Sequence, residues 1–197
     1  DVRILPLSTR YKDREQSKDA IVRMLSELVR EKPVNTLIFL PSYPYMQDIH
    51  KAFTESNPGW RTLLQGHGMS EEERENFLGA FQADAAEPLI GFAVMGGIFS
   101  EGIDLKGERL SSVVVVGVGL PQLSFENDII KDYFDRTGKR GYDYAYVYPG
   151  MNKVLQAGGR LIRSEHDTGT LTLVDDRFLN RQYSMLLPEE WRHYKRI

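Results

Sequence analysis

Gln156, Arg160 and Arg163 place one amide and two guanidinium groups in a short stretch, Gln156-Ala157-Gly158-Gly159-Arg160-Leu161-Ile162-Arg163. At about 100° per residue, a continuous helix would bring the three within roughly 60° of one another. Such a stripe suits a polyphosphate, because planar guanidinium forks hold pairs of oxygens and an amide fixes orientation. Leu155 and Ile162 point elsewhere and can anchor the helix in a core. Gly158 and Gly159 cost a helix roughly 1 kcal/mol each relative to Ala, so close approach of another backbone or a ligand is expected there. The competing reading is a surface helix whose arginines pair with Glu165 or Asp167. Two arginines three apart favour that reading; the full order Gln-x-x-Gly-Arg-x-x-Arg reverses the balance.

A second chemically suggestive stretch follows the strand-like run Leu89–Val94. Gly96, Gly97 and Gly102 permit positive φ, and Ser100, Glu101 and Asp104 put polar groups on the same turn. The spacing of Gly102 and Gly107 imitates a phosphate loop, but Glu108 and Arg109 stand where Lys and Ser/Thr are required, which rejects it. Earlier, a buried strand over 34–40 runs into Pro41-Ser42-Tyr43-Pro44, a polar turn that starts a helix. Strand ends of this kind are where α/β sheets take ligands. Ser42 taken alone is better explained as a plain N-cap. Asp175 and Asp176 could in principle hold a metal with Asp104, although bonding Arg177 or a helix start is the favoured role. His50, His67, His166 and His193 have no ligand spacing, and no metal site is expected.

The elements that position these residues alternate. Ile21, Met24, Leu25, Leu28 and Val29 keep a helical period; Trp60 to Leu64 is a short strand; Ser70 and Glu73 form a capping box before Phe77, Leu78 and Phe81. Val113–Val116 reads as a central parallel strand buried on both faces. A helix with Ile129, Ile130, Tyr133 and Phe134 on its buried side is expected next, stopped by Gly138. Tyr142, Tyr144, Tyr146 and Tyr148 suggest either a stacking platform for bases or, the favoured reading, core packing. Pro149-Gly150 would start the helix bearing Gln156, Thr170–Val174 is the last strand, and Arg177 to Trp191 a closing helical segment over the sheet. Strands and helices in turn predict a single α/β domain over residues 1–197, with a doubly wound, mainly parallel sheet.

Composition bounds what such a domain does. Its 197 residues allow one real core, and a net charge of −3 supplies no global field for nucleic acid, so any contact must be a local groove. Cysteine is absent, which excludes disulfides, thiolate catalysis and cysteinyl metal sites in this piece and fits a reducing, cytoplasmic location. No apolar run approaches 18 residues, so no membrane contact is expected. The chain opens inside a strand-like run, Asp1–Leu5, as a fragment of something longer would. Neither a Gly-x-x-x-x-Gly-Lys-Ser/Thr loop nor an Asp-Glu-Ala-His-like run is present, so no phosphate loop with its magnesium carboxylates is complete here.

Gln-x-x-Gly-Arg-x-x-Arg resembles motif VI of the superfamily-two helicases. The following Asp167-Thr168-Gly169 turn and strand ending Asp175-Asp176-Arg177-Phe178 are similar to the DinG/XPD-like branch, as are Ser100-Glu101-Gly102-Ile103-Asp104 (motif V) and the Gly119-Leu120-Pro121-Gln122 turn. Ile98-Phe99 departs from the pair common there. The resemblance implies a second, C-terminal RecA-like motor domain of an ATP-dependent DNA helicase, with ATP and Mg2+ bound jointly with a first RecA-like domain of the same chain. It implies that Arg163 is the arginine finger with Arg160 beside it, that Gln156 and Gly159 lie at the phosphate end, and Gly102 and Asp104 on the ribose side. Ser42, Tyr43, Ser100 and Glu101 would touch single-stranded DNA. A monomer and a role in DNA repair are implied, and the branch's iron–sulfur cluster would lie outside this piece. Two alternatives remain: a helicase-derived binding or scaffold module without ATPase coupling, and a stand-alone phosphohydrolase.

Overall fold

The computed structural model describes residues 1–99, 105, 107–161 and 168–197. Seven strands, β1 (Val2–Leu5), β2 (Thr36–Leu40), β3 (Arg61–Leu64), β4 (Leu89–Val94), β5 (Ser112–Val116), β6 (Thr170–Val174) and β7 (Lys195–Arg196), form one sheet in the order β3-β4-β2-β5-β6-β1-β7. Every pairing in it is parallel. The helices are α1 (Arg14–Glu31), α2 (Tyr43–Ser56), α3 (Glu71–Gly79), α4 (Phe125–Arg136), α5 (Tyr148–Gly158) and the short α6 (Arg181–Ser184). Among the described residues no helix is long and apolar enough to cross a membrane.

Both faces of the sheet are covered, which is why the central strands are apolar without alternation. Ile38, Phe92, Val114 and Val116 pack on Ile21 and Leu25 of α1 and Met46 and Phe53 of α2. Leu37, Phe39, Val113, Val115 and Leu173 face Phe77 of α3, Met151 and Val154 of α5, and Trp191. At the amino edge, buried Asn35 ties three segments together. Its Oδ1 accepts from Leu89 N (2.8 Å), and its Nδ2 donates to the carbonyls of Gln82 (2.9 Å) and Arg109 (3.1 Å). Arg109 itself donates to Leu78 O (3.0 Å), in the last turn of α3, and to Phe81 O (2.8 Å), just beyond its end. That guanidinium ties the end of α3 to the segment before β5. The expected capping box is present: Glu73 N donates to Ser70 Oγ (3.2 Å) and Ser70 N to Glu73 Oε2 (2.7 Å).

Three expectations need correction. No residue of α4 is buried: Ile129 is 53% and Tyr133 62% exposed. Two helices connect β5 to β6 where one crossover helix suffices, so α5 takes the sheet while α4 packs mainly on the turn Asp143–Val147. That turn is one turn of π-helix that runs directly into α5, so the tyrosines stand at a helix entrance, where core packing holds for buried Tyr146 but not for Tyr142 and Tyr148, which are exposed. The segment after Arg177 is not one helix but short turns around α6, which still deliver Phe178, Tyr183, Leu187 and Trp191 into the core. β7, pairing with β1, carries no apolar signal and was not expected.

Gly91 in β4 lies where the packing leaves no space for a side chain. A Cβ there would lie 2.6 Å from Phe81 Cζ and 3.0 Å from Leu37 Cδ1, so the ring occupies the space of a side chain. Gly91→Ala is expected to destabilise the fold by about 1–3 kcal/mol through overpacking, read as a lowered urea midpoint at unchanged slope.

Candidate nucleotide half-site and nucleic-acid edge

The path of α5 decides where its polar residues lie. Gly119, at φ +64°, and Gly150 approach backbone to backbone: a Cβ on Gly150 would meet Val118 O at 2.6 Å, and one on Gly119 would meet Gly150 O at 2.8 Å. α5 therefore starts against the carboxyl end of β5. Its far end borders a cavity of about 380 Å³ with Asp1, Val2 and Leu171, at the amino ends of β1 and β6. The expected reason for Gly158 is corrected here. What fills the space is the indole of Trp191, whose Cη2 would lie 2.4 Å from an added Cβ, rather than a backbone or a ligand.

The single helical stripe is also corrected. α5 ends at Gly158, Gly159 N donates to Leu155 O (2.9 Å), and Arg160 N donates to Ala157 O (3.3 Å), a tightened three-residue turn. Two consecutive glycines are poor helix formers, so the helix stops before Arg160. Gln156 and Arg160 are still brought together, with Arg160 Nε donating to the Gln156 carbonyl at 3.2 Å. Gln156 is exposed and Arg160 half-exposed. Arg163, Ser100, Glu101, Gly102 and Asp104 lie outside the described residues. The approach to that loop is described. Phe99 is buried and stacks on Phe77 (4.3 Å between centroids), which gives the unusual Ile98-Phe99 pair an anchoring role.

At the opposite, carboxyl edge, Ser42 occupies the N-cap position of α2 in extended geometry, but its side chain makes no capping bond. Tyr43 follows, and its hydroxyl accepts from Gln65 Nε2 at 2.8 Å, while Gln65 Oε1 accepts from Val94 N at 2.8 Å. Gln65 is only 2% exposed. The exposed ring of His67 stacks on Tyr43 with centroids 3.6 Å apart and planes 26° apart. Sequence reasoning singled out Ser42 and Tyr43 but not the Gln65 and His67 that contact Tyr43. The usable signal was a lone glutamine at the end of an apolar strand; nothing in the sequence marks the stack.

Across the same edge, beyond β6 and β1, lies a buried polar cluster. Asp175 is fully buried; Thr9 Oγ1 donates to it, Arg177 grips it with Nε (2.8 Å) and an Nη (2.9 Å), and the Arg177 amide adds a third bond from that residue (2.8 Å). Asp176 pairs with Arg10 at 2.6 Å. Burial pushes the Asp175 carboxyl up, but the bonds and charge of Arg177 and the Thr9 hydroxyl outweigh it and hold the pKa below the ordinary value. Next to it, burial pushes the Tyr45 hydroxyl up to about 12, with the Arg14 guanidinium 4.2 Å over its ring. Asp175 has its acceptors committed to protein donors, so it holds this corner in place and is not a metal-binding carboxylate.

A single parallel sheet of seven strands with helices on both faces is a RecA-like α/β fold. Residues 25–194 match the model of the helicase C-terminal domain, and the chain belongs to that family, in the superfamily-two branch of DinG and XPD. It is 27% identical over 201 residues to the ATP-dependent DNA helicase DinG of Photobacterium profundum, covering 98% of this chain and 28% of that protein. It is 27% identical over 217 residues to a regulator of telomere elongation helicase 1 homolog of Oryza sativa subsp. japonica, covering 96% and 21%. The chain thus spans about a quarter of the length of these curated relatives. Among solved structures, an apo XPD aligns with a TM-score of 0.77 at 20% identity, over 100% of this chain and 39% of that one. Domain 2 of the DEAD-box helicase Mss116p, bound to an RNA duplex, aligns at 0.59 and 12% identity, over 100% and 64%. These two likenesses are of fold.

The Asp175 cluster gives a pH-dependent test of its positioning role. Because the folded pKa lies below the ordinary 3.8, the stabilisation is complete above that value and is lost as pH falls through the lowered folded one. Asp175→Asn should cost about 3 kcal/mol at neutral pH, since it strands a buried guanidinium, and the gap to wild type should close in strong acid. Urea midpoints of both proteins from pH 7 down to about 2.5 measure it.

Proposed function

We propose that this chain is the second motor domain of an ATP-dependent DNA helicase, contributing half of an interdomain ATP site and part of the track for single-stranded DNA. The observation that carries this reading is the placement of Gln156 and Arg160 at the amino edge, away from the carboxyl edge where a self-contained α/β enzyme binds its ligand. Side chains at that edge suit a nucleotide shared with another domain. The incomplete ATPase signature of the sequence and the helicase names of the relatives support the same reading. ATP with Mg2+ would supply the phosphoryl group and its charge-neutralising cation; Arg160 and Gln156 hold and orient the phosphate end, and Gly159 leaves the approach open. Arg163 completes the pair as the arginine finger, with Gly102 and Asp104 on the ribose side. Ser42, Tyr43, Ser100 and Glu101 contact the strand. The partner is a first RecA-like domain of the same polypeptide. The commitment of Asp175 and Asp176 to arginines argues against a stand-alone phosphohydrolase.

Three measurements test this function. In the intact protein, Arg163→Ala should lower kcat for DNA-stimulated ATP hydrolysis by about 10³-fold, the lower end of what arginine fingers supply, with little change in KM. Arg163→Lys should not restore it, because the planar fork is lost, and Asn152→Ala on exposed α5 surface serves as control. Near-normal turnover in Arg163→Ala would overturn the assignment. The 197-residue chain alone should release no phosphate from Mg·ATP above a blank. It should bind single-stranded DNA weakly and with a steep salt dependence, as its net charge of −3 leaves only local attraction. Fluorescence anisotropy at two salt concentrations reads the binding.

A further inference from the structure

We propose that His67 is a base-stacking residue of the nucleic-acid edge, presented to a single-stranded nucleic acid by Tyr43 and, through it, by the buried side chain of Gln65. The inference rests on the reading of this edge as a strand track and adds to it a residue that the motif pattern does not contain. An exposed histidine on a loop ordinarily samples several rotamers, and fixing it costs conformational entropy. Here the imidazole lies against Tyr43 at 3.6 Å, nearly parallel to it. Tyr43 is not free to move, because its hydroxyl is bonded by Gln65, and Gln65 is bonded in turn by the last amide of β4. The order of support runs from strand backbone to buried amide to phenol to imidazole, with each group fixed by the one beneath it.

The surroundings of His67 suit a flat ligand. It stands between Gly66 and Gly68; Gly68 is at φ +59°, and a Cβ added there would meet nothing within 4 Å. One face of the ring is covered by Tyr43 and the residue as a whole remains exposed, so a planar group can approach the open side. A nucleobase presents such a plane, and stacking on it tolerates any sequence because every base has a π-face. Ser42, one residue before Tyr43, makes no capping bond with its hydroxyl.

The test compares two strands that share one backbone. A fluorescent oligothymidylate and an otherwise identical abasic oligonucleotide are titrated with the 197-residue chain, wild type, His67→Ala and His67→Phe. His67→Ala should weaken binding of the base-bearing strand about 5- to 10-fold, the lower end for loss of one stacked base because Tyr43 remains. Its slope of log affinity against log salt should match wild type, since no phosphate contact is lost. Binding of the abasic strand should not change, and His67→Phe should retain affinity for oligothymidylate within about twofold. An equal loss on both strands would make His67 a phosphate contact and overturn the proposal. No loss on either would reduce the stack to local packing and overturn it while leaving the helicase reading intact. Failure of the wild-type chain to bind either strand at low salt would remove the track itself, and both readings with it.

Discussion

The contact on which the site geometry depends is the backbone crossing of Gly119 and Gly150. It leaves no space for a Cβ on either residue, and it fixes the start of α5 at the carboxyl end of β5. From there the distances decide the rest. An 11-residue helix is about 16 Å long, and the five-residue strands β5 and β6 span about 17 Å, so α5 traverses the sheet from one edge to the other. Its last turn therefore delivers Gln156 and the following Arg160 to the amino edge. Trp191 closes the far end by filling the space over Gly158, which requires glycine for a packing reason. The Gln156 end of the helix is thus positioned by two glycine contacts, Gly119 against Gly150 and Gly158 against Trp191.

The carboxyl edge is held by a different device, buried polar side chains bonded between segments distant in sequence. Gln65 and Asp175 are almost inaccessible to water, and each links segments distant in sequence: Gln65 connects β3, β4 and α2, while Asp175 connects β6 with the segment after β1. A buried ion pair such as Asp175–Arg177 contributes little net stability over an apolar equivalent, because desolvation offsets the attraction. What it supplies is definition of the backbone at a strand end, where an apolar core would leave the following turn unspecified. Both clusters sit where α/β sheets present ligand-contacting loops, so the polar groups with most to lose from misplacement are those that set the working edge.

Much of this was legible in the sequence wherever burial imposes a period. The unbroken Val113–Val116 run, the helical spacing of Ile21 to Val29 and the capping box at Ser70 each became the element expected. The reading failed where an apolar pattern had no sheet to cover. Ile129, Ile130 and Tyr133 have the spacing of a buried helix face, but the crossover already had α5 to cover that side, and α4 was left at the surface. It failed also where a helix ends: a 3.6-residue period continues on paper through Gly158-Gly159, whereas the backbone tightens there and Arg160 falls in a turn. The role of Arg109 was not legible, because bonding the Phe81 carbonyl from 28 residues away depends on tertiary proximity.

The two edges are joined by more than a common sheet. Lys153, midway along α5, lays its aliphatic stem over Gly96: a Cβ on that glycine would lie 2.9 Å from Lys153 Cδ, and the same side chain borders Gly119 through its Cβ. Gly96 adopts φ +69°, a conformation that favours glycine, so the turn leaving β4 is shaped to receive this lysine. The segment that leads towards Ser100 is therefore packed on the same helix that ends beside Gln156. If closure on a nucleotide shifts α5, the turn after β4 moves with it as one packed unit, and no side-chain relay across the domain is required. On the proposed function, rigid-body motion of a helix with a loop packed on its middle would be the simplest way for this architecture to connect a phosphate at one edge to a strand at the other.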